Sequence, residues 1–106
     1  MGLFTNLKQG AFLTKCKVTY SGYGLQKSSA ESLVDYGAEI LLDCYKNNSN
    51  PEAALAILCS IVIKNKSEVP MNILGAADRF AQIFIERYPH EGLTRNILSI
   101  IKETKE

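Results

Sequence analysis

The sequence predicts an all-α fold, a compact bundle of four to five helices that forms a single domain over residues 1–106. Three observations predict it. Apolar residues recur at spacings of three and four through most of the chain. Helix-start signals precede these runs, and no strand pattern has a visible partner. With 106 residues, of which 46% are hydrophobic, the chain is long enough to bury one core.

The N-terminal segment admits two interpretations. As a helix it has two faces, one with Leu3, Phe4, Leu7 and Ala11, the other with Phe12, Cys16 and Tyr20. The alternation of apolar and polar residues over 11–20 is also compatible with a strand. Because a lone strand would have no partner, we prefer a helix with a bend or break near Gly10. A loop from Ser21 to Lys27 follows.

The second predicted helix begins at Ser28-Ser29-Ala30-Glu31, which has the S-x-x-E form of a capping box. Its amphipathic pattern extends to about Lys46, where a polar run of asparagines and serine ends it.

The third helix begins at Asn50-Pro51-Glu52 and extends to about Lys64. Asn is a good N-cap, Pro fits the first helical position, and Glu suits the positive end of the helix dipole. This helix is apolar on nearly all sides, which is typical of the centre of a fold or of an interface. We therefore expect it to be the central element.

The fourth helix is predicted from Pro70 to Tyr88, with an apolar arc over more than half of its circumference. We expect it to be the main packing partner of the third helix. After a break at Tyr88-Pro89-His90-Glu91-Gly92, a last amphipathic helix begins near Leu93.

Composition narrows the cellular setting. A net charge of +1 gives no general attraction to nucleic acid or to anionic membranes. The three cysteines show no C-x-x-C or zinc-type spacing, which favours reduced thiols in a cytosol. No secretory signal is visible, and the longest apolar run, residues 53–63, is too short to span a bilayer. We expect a soluble, cytoplasmic protein without a membrane partner.

Residues 15–27 form a basic segment rich in tyrosine and glycine. Its candidate binding residues are Lys15, Lys17, Tyr20, Tyr23 and Lys27. Lysines beside aromatic rings can hold a phosphate backbone and stack on a base. However, no phosphate-binding fingerprint is present, and arginine is absent nearby. Anion or nucleic-acid binding is therefore the alternative interpretation, and a plain connector is the simpler one.

An acidic ladder runs along the second predicted helix. It consists of Glu31, Asp35, Glu39 and Asp43, with Leu42 in its midst. The ladder covers the whole polar face, so a solvated surface explains it, and without a Glu-x-x-His motif we expect no metal. Leu42 marks the ladder as a possible interaction face. The basic segment could also lie across it, within one chain or between two.

The sequence offers few candidate catalytic residues. His90 is the only histidine and falls in a turn, and no serine lies in a nucleophile elbow. Cys16, beside Lys15 and Lys17, is the one thiol with an argument for a lowered pKa and reactivity. We expect no enzyme and no cofactor. The sequence predicts a non-enzymatic interaction or accessory module, associating with itself as a homodimer or with another protein.

Overall fold

The computed structural model describes the backbone of residues 3–104 and the side chains of residues 7–104, so the side chains of Leu3 and Phe4 lie outside the described residues. Six α-helices follow one another: α1 (Leu3–Ser21), α2 (Lys27–Tyr36), α3 (Ala38–Lys46), α4 (Pro51–Lys64), α5 (Met71–Arg87) and α6 (Gly92–Thr104). A short 3₁₀ turn, Lys66–Glu68, joins α4 to α5. The all-α prediction is confirmed.

Two helices, α2 and α3, replace the single helix predicted between Ser28 and Lys46. The division lies at Gly37, which is buried against Leu58 of α4. A β-carbon added at Gly37 would overlap Leu58 Cδ1, well inside van der Waals contact. The glycine allows α4 to approach the junction closely. The division into α2 and α3 raises the number of helices from the predicted four or five to six.

The N-terminal segment is one continuous helix, so a break near Gly10, one of the two forms predicted there, is wrong. Residues 11–20 are helical and the strand alternative is also excluded. The two apolar faces read from the sequence are two sides of this one helix, α1. Phe12, Cys16 and Tyr20 form its buried side.

The start of α2 differs from the predicted capping box. Gln26 is the N-cap and makes no side-chain capping bond. Because the helix begins at Lys27, Ser28 lies inside the first turn instead of before it, and its hydroxyl is not placed to cap.

The central position of α4 is confirmed. Its start follows the prediction, since the Ala53 N–H donates to Asn50 Oδ1 at 2.8 Å. It contacts α1, α3, α5 and α6, most extensively α5, and Lys64 is its only exposed residue. One chain therefore encloses the helix that is apolar on nearly all sides, and this helix no longer argues for a subunit interface.

Two left-handed residues shape the connections. Gly24, with φ of +83°, turns the chain between α1 and α2, a conformation that glycine adopts without strain. Asn48, with φ of 65°, ends α3 in a Schellman motif, in which the Ser49 N–H donates to the Cys44 carbonyl at 3.0 Å. Within the basic segment, residues 22–26 thus form a turn, whereas residues 15–21 are the last part of α1.

Among residues 3–104, no helix has both the length and the apolar character needed to cross a membrane.

Candidate interaction surface

The two tyrosines of the basic segment belong to the core. Tyr20 is fully buried and its hydroxyl donates to the Ala76 carbonyl at 2.8 Å. Tyr23 is 8% exposed, and its ring stacks on Phe80 with the ring centroids 4.3 Å apart. Neither ring has a face available to stack on a base. The aromatic part of the predicted binding site is therefore corrected to a packing role.

The lysines of the segment remain at the surface. Lys15 and Lys27 are exposed, and Lys17 is half-buried. Lys17 Nζ lies 3.4 Å from Asp35 Oδ1, the one ion pair among the described side chains. The basic segment thus meets the acidic ladder within one chain. The contact is solvent-exposed and contributes little to stability.

The acidic ladder is divided between two helices by Gly37. Its four carboxylates, those of Glu31, Asp35, Glu39 and Asp43, are exposed, and Leu42 is half-buried. Glu31 lines a shallow cleft of about 240 Å³ between α1 and α2, together with Lys17, Val18, Ser21 and Lys27. Asp35 and Glu39 line a second shallow cleft, of about 410 Å³, at the junction of α2 and α3.

Cys16 is not the reactive thiol that its neighbouring lysines suggested. Its side chain is fully buried, whereas Lys15 is exposed on another side of α1. Burial raises the pKa of the Cys16 thiol from an ordinary 9.0 to about 12, and the nearby Cys44 adds to the rise. A thiol held protonated is a poor nucleophile. Cys44 and Cys59 are buried as well, with raised pKa values.

Cys16 gives a pH dependence of stability. In the unfolded chain its thiol ionises near pH 9, whereas the folded protein keeps it protonated, so the folded state binds the extra proton and stability falls as pH rises. Between about pH 8 and pH 10 this one group should lower the free energy of unfolding by about 1.4 kcal/mol. Urea unfolding at the two pH values measures the loss.

The Cys16→Ala variant is the control for this titration. Its loss between the same two pH values should be smaller than that of the unmodified protein by about 1.4 kcal/mol. An equal loss in both proteins would show that Cys16 titrates near its ordinary value when folded, and would contradict its burial.

A half-buried cluster around the Glu52 carboxylate joins the basic segment to two other helices. Glu52 accepts hydrogen bonds from the Tyr23 and Tyr88 hydroxyls at 2.6 and 2.7 Å. The Arg87 guanidinium carbon lies 3.9 Å from the Tyr23 ring centroid, in cation–π contact. Burial and then the bond to Glu52 raise the pKa of Tyr23, and the bond to Glu52 is the main cause of the raised pKa of Tyr88.

This cluster is absent from the sequence-based prediction, which gave Glu52 only a helix-dipole role. It borders a cleft of about 250 Å³ between α4, α5 and the start of α6. Both carboxylate oxygens of Glu52 already accept a tyrosine hydroxyl. The cluster therefore ties the α1–α2 turn to α4 and α5.

The side of α1 that faces away from the core carries a stripe of three apolar residues and one threonine. Its members, which we call the outer face, are Leu7, Ala11, Thr14 and Val18, and all four are exposed. At about 100° per residue they fall within an arc of about 60°. Leu7 is 59% and Val18 67% exposed, which makes them two of the most exposed large apolar side chains described.

The spacing of the outer face is that of a helix-pairing seam. Its steps of four, three and four residues are those of alternating a and d positions in a heptad. The Thr14 hydroxyl donates to the Gly10 carbonyl at 3.0 Å, which satisfies its polar atom locally. Gly10 itself borders the outer face, and a β-carbon there would meet nothing within 4 Å. Nothing within the described chain requires this costly mid-helix glycine.

The other exposed apolar side chains do not share this pattern. Met71 is 85% exposed at the first turn of α5, and Tyr36 and Leu98 are exposed on α2 and α6. Each is the one large exposed apolar residue of its helix, and scattered residues of this kind are ordinary on protein surfaces. The outer face of α1 is the surface with repeated, helically spaced exposure.

Comparison with known proteins adds no relative to this description: no protein-family model, no curated protein and no solved structure matches the chain.

Proposed function

We propose that the protein is a non-enzymatic interaction module that docks a helix on the outer face of α1. The observation that carries the proposal is the exposure of Leu7 and Val18 at heptad spacing on a helix whose opposite side is already packed in the core. The buried side of α1 already provides the apolar packing that attaches a helix to a core. The second stripe, on the outer face, therefore does not contribute to packing within this fold.

The chemistry of the interior agrees with a binding role over catalysis. The three thiols are buried, and His90 lies in an exposed turn between α5 and α6. The Glu52 carboxylate is engaged by two hydroxyls. The thiols and Glu52 have packing roles within the fold. The outer face, by contrast, is an apolar surface that stays exposed in the part of the chain that the structure describes.

A titration with a designed helical peptide tests the proposal. The peptide has about three heptads with leucine at a and d and glutamine at the flanking e and g positions, so that it probes the seam without charge. We expect it to bind, and we expect the double variant Leu7→Gln/Val18→Gln to bind at least about tenfold more weakly, because burial of these two side chains is lost. Calorimetry or fluorescence anisotropy measures the affinity.

Met71→Gln is the matched control, since it removes an even more exposed apolar side chain from a different helix. It should leave the affinity unchanged. Analytical ultracentrifugation of the protein without peptide tests whether it self-associates through the same face. A protein that neither self-associates nor binds the neutral peptide, or that binds it equally well after Leu7→Gln/Val18→Gln, would contradict the proposal.

A further inference from the structure

The charges beside the outer face of α1 indicate the chemistry of its partner. Lys8 and Lys15 each follow a residue of the outer face by one position, and Lys17 precedes one. They occupy the positions that flank the seam in a helix pair. The helix contains no aspartate or glutamate, and no acid occurs in the chain before Glu31.

Two of these lysines are uncommitted within the described fold. Lys8 and Lys15 are exposed and form no ion pair with any side chain of residues 7–104. Lys17 is paired with Asp35 on the side of the seam nearer to α2. One flank of the outer face is therefore purely basic, and the other is partly neutralised by the chain itself.

A second copy of the chain is a poor occupant of this face. If two α1 helices paired along their outer faces, the flanking lysines of one would approach those of the other, and α1 carries no acid to relieve the repulsion. Two carboxylates of α2 lie near the other flank: Glu31 lines a cleft with Lys17 and Val18, and Asp35 pairs with Lys17. Lys8 and Lys15 have no neighbouring carboxylate that the structure assigns to them.

A lipid surface also fits less well than a helix. An interfacial helix buries a wide face of bulky side chains in the headgroup region. The outer face spans only about 60°, and two of its four members, Ala11 and Thr14, are small. A narrow seam beside a glycine favours close approach of another backbone.

We infer that the occupant of the outer face is an amphipathic helix of another protein whose apolar seam is flanked by acidic residues. This inference rests on the proposed function and adds the charge of the partner. Carboxylates at the flanking positions of the partner would lie beside Lys8 and Lys15, while its apolar residues cover Leu7 and Val18.

Two peptides that differ only in their flanks test the inference. Both keep the leucine seam, and one has glutamate and the other lysine at the e and g positions. At about 50 mM salt we expect the glutamate peptide to bind about tenfold or more tightly than the lysine peptide, and at about 500 mM the preference should shrink to about twofold. The double variant Lys8→Glu/Lys15→Glu should reverse the preference, and circular dichroism checks that it is folded.

The outcomes separate this inference from the proposed function. Equal binding of the two charged peptides, with the neutral peptide also bound, would overturn the acidic partner and leave helix docking intact. A dimer abolished by Leu7→Gln/Val18→Gln would name a second copy as the occupant and overturn the inference. Binding to vesicles of anionic phospholipid without binding to any peptide would overturn both proposals.

Discussion

Replacement of Phe80 by alanine is expected to lower the free energy of unfolding by about 3–5 kcal/mol. Phe80 is fully buried and its ring is close to three other rings, at centroid distances of 4.3 Å to Tyr23, 5.7 Å to Tyr20 and 6.2 Å to Phe84. Truncation leaves a cavity and removes aromatic contacts between α1, the α1–α2 turn and α5. Urea unfolding monitored by circular dichroism measures the effect.

Two further variants keep this prediction informative if Phe80→Ala fails to fold, since a domain of this size has only about 5–15 kcal/mol of stability. Phe80→Leu keeps most of the volume and should cost about 1–2 kcal/mol. Met71→Ala, at an exposed position of the same helix, should change stability by less than about 0.5 kcal/mol. Similar losses for Phe80→Ala and Met71→Ala would show that the aromatic cluster is not a centre of the core.

Gly37→Ala should destabilise the protein by about 1–3 kcal/mol, although alanine is the better helix former. The added β-carbon would lie within 2.9 Å of three side-chain atoms of Leu58, which is fully buried. Either Leu58 leaves its rotamer or α4 moves from the α2–α3 junction. Urea unfolding of the variant measures the loss.

A double-mutant cycle with Leu58→Ala tests the cause. Leu58→Ala alone should cost about 2–5 kcal/mol because it creates a cavity. If the two residues clash as described, the β-carbon of Gly37→Ala partly fills that cavity, so the double variant should be more stable than the sum of the single losses by about 1 kcal/mol or more. If the losses in the free energy of unfolding were additive, the destabilisation by Gly37→Ala would not come from a clash with Leu58. Gly10→Ala, at an open helical position, should instead stabilise by a few tenths to about 1 kcal/mol.

The sequence predicted helix positions well where the determining interactions lie within one or two helical turns. The Asn50-Pro51-Glu52 start of α4 was readable because an N-cap acts within one turn, and the apolar character of α4 on nearly all sides predicted its central position. The division of α2 from α3 was not readable, since Gly37 is required by contact with Leu58, 21 residues away in the chain. The predicted break at Gly10 failed because two apolar faces on one helix resemble two successive helices.

The candidate site was predicted less well. Lysines and tyrosines occur close together in the segment 15–27, but in the helix Tyr20 is buried and Lys15 is exposed. Burial of Cys16 also reverses the effect on its pKa that was expected from Lys15. The Glu52 cluster joins residues 29 and 36 positions apart, and no local pattern reveals such a contact. The outer face was visible in part, as the grouping of Leu7 with Ala11, but its exposure depends on which side of α1 the core covers.

The most direct test of the docking surface is the chemical-shift map of ¹⁵N-labelled protein titrated with the neutral leucine-seam peptide. Helix docking on α1 predicts that the largest amide shifts lie at Leu7, Ala11, Thr14 and Val18, with the resonance of Met71 unmoved. Shifts centred on another helix, or no shifts at peptide concentrations well above that of the protein, would contradict the assignment of the outer face as the interaction surface.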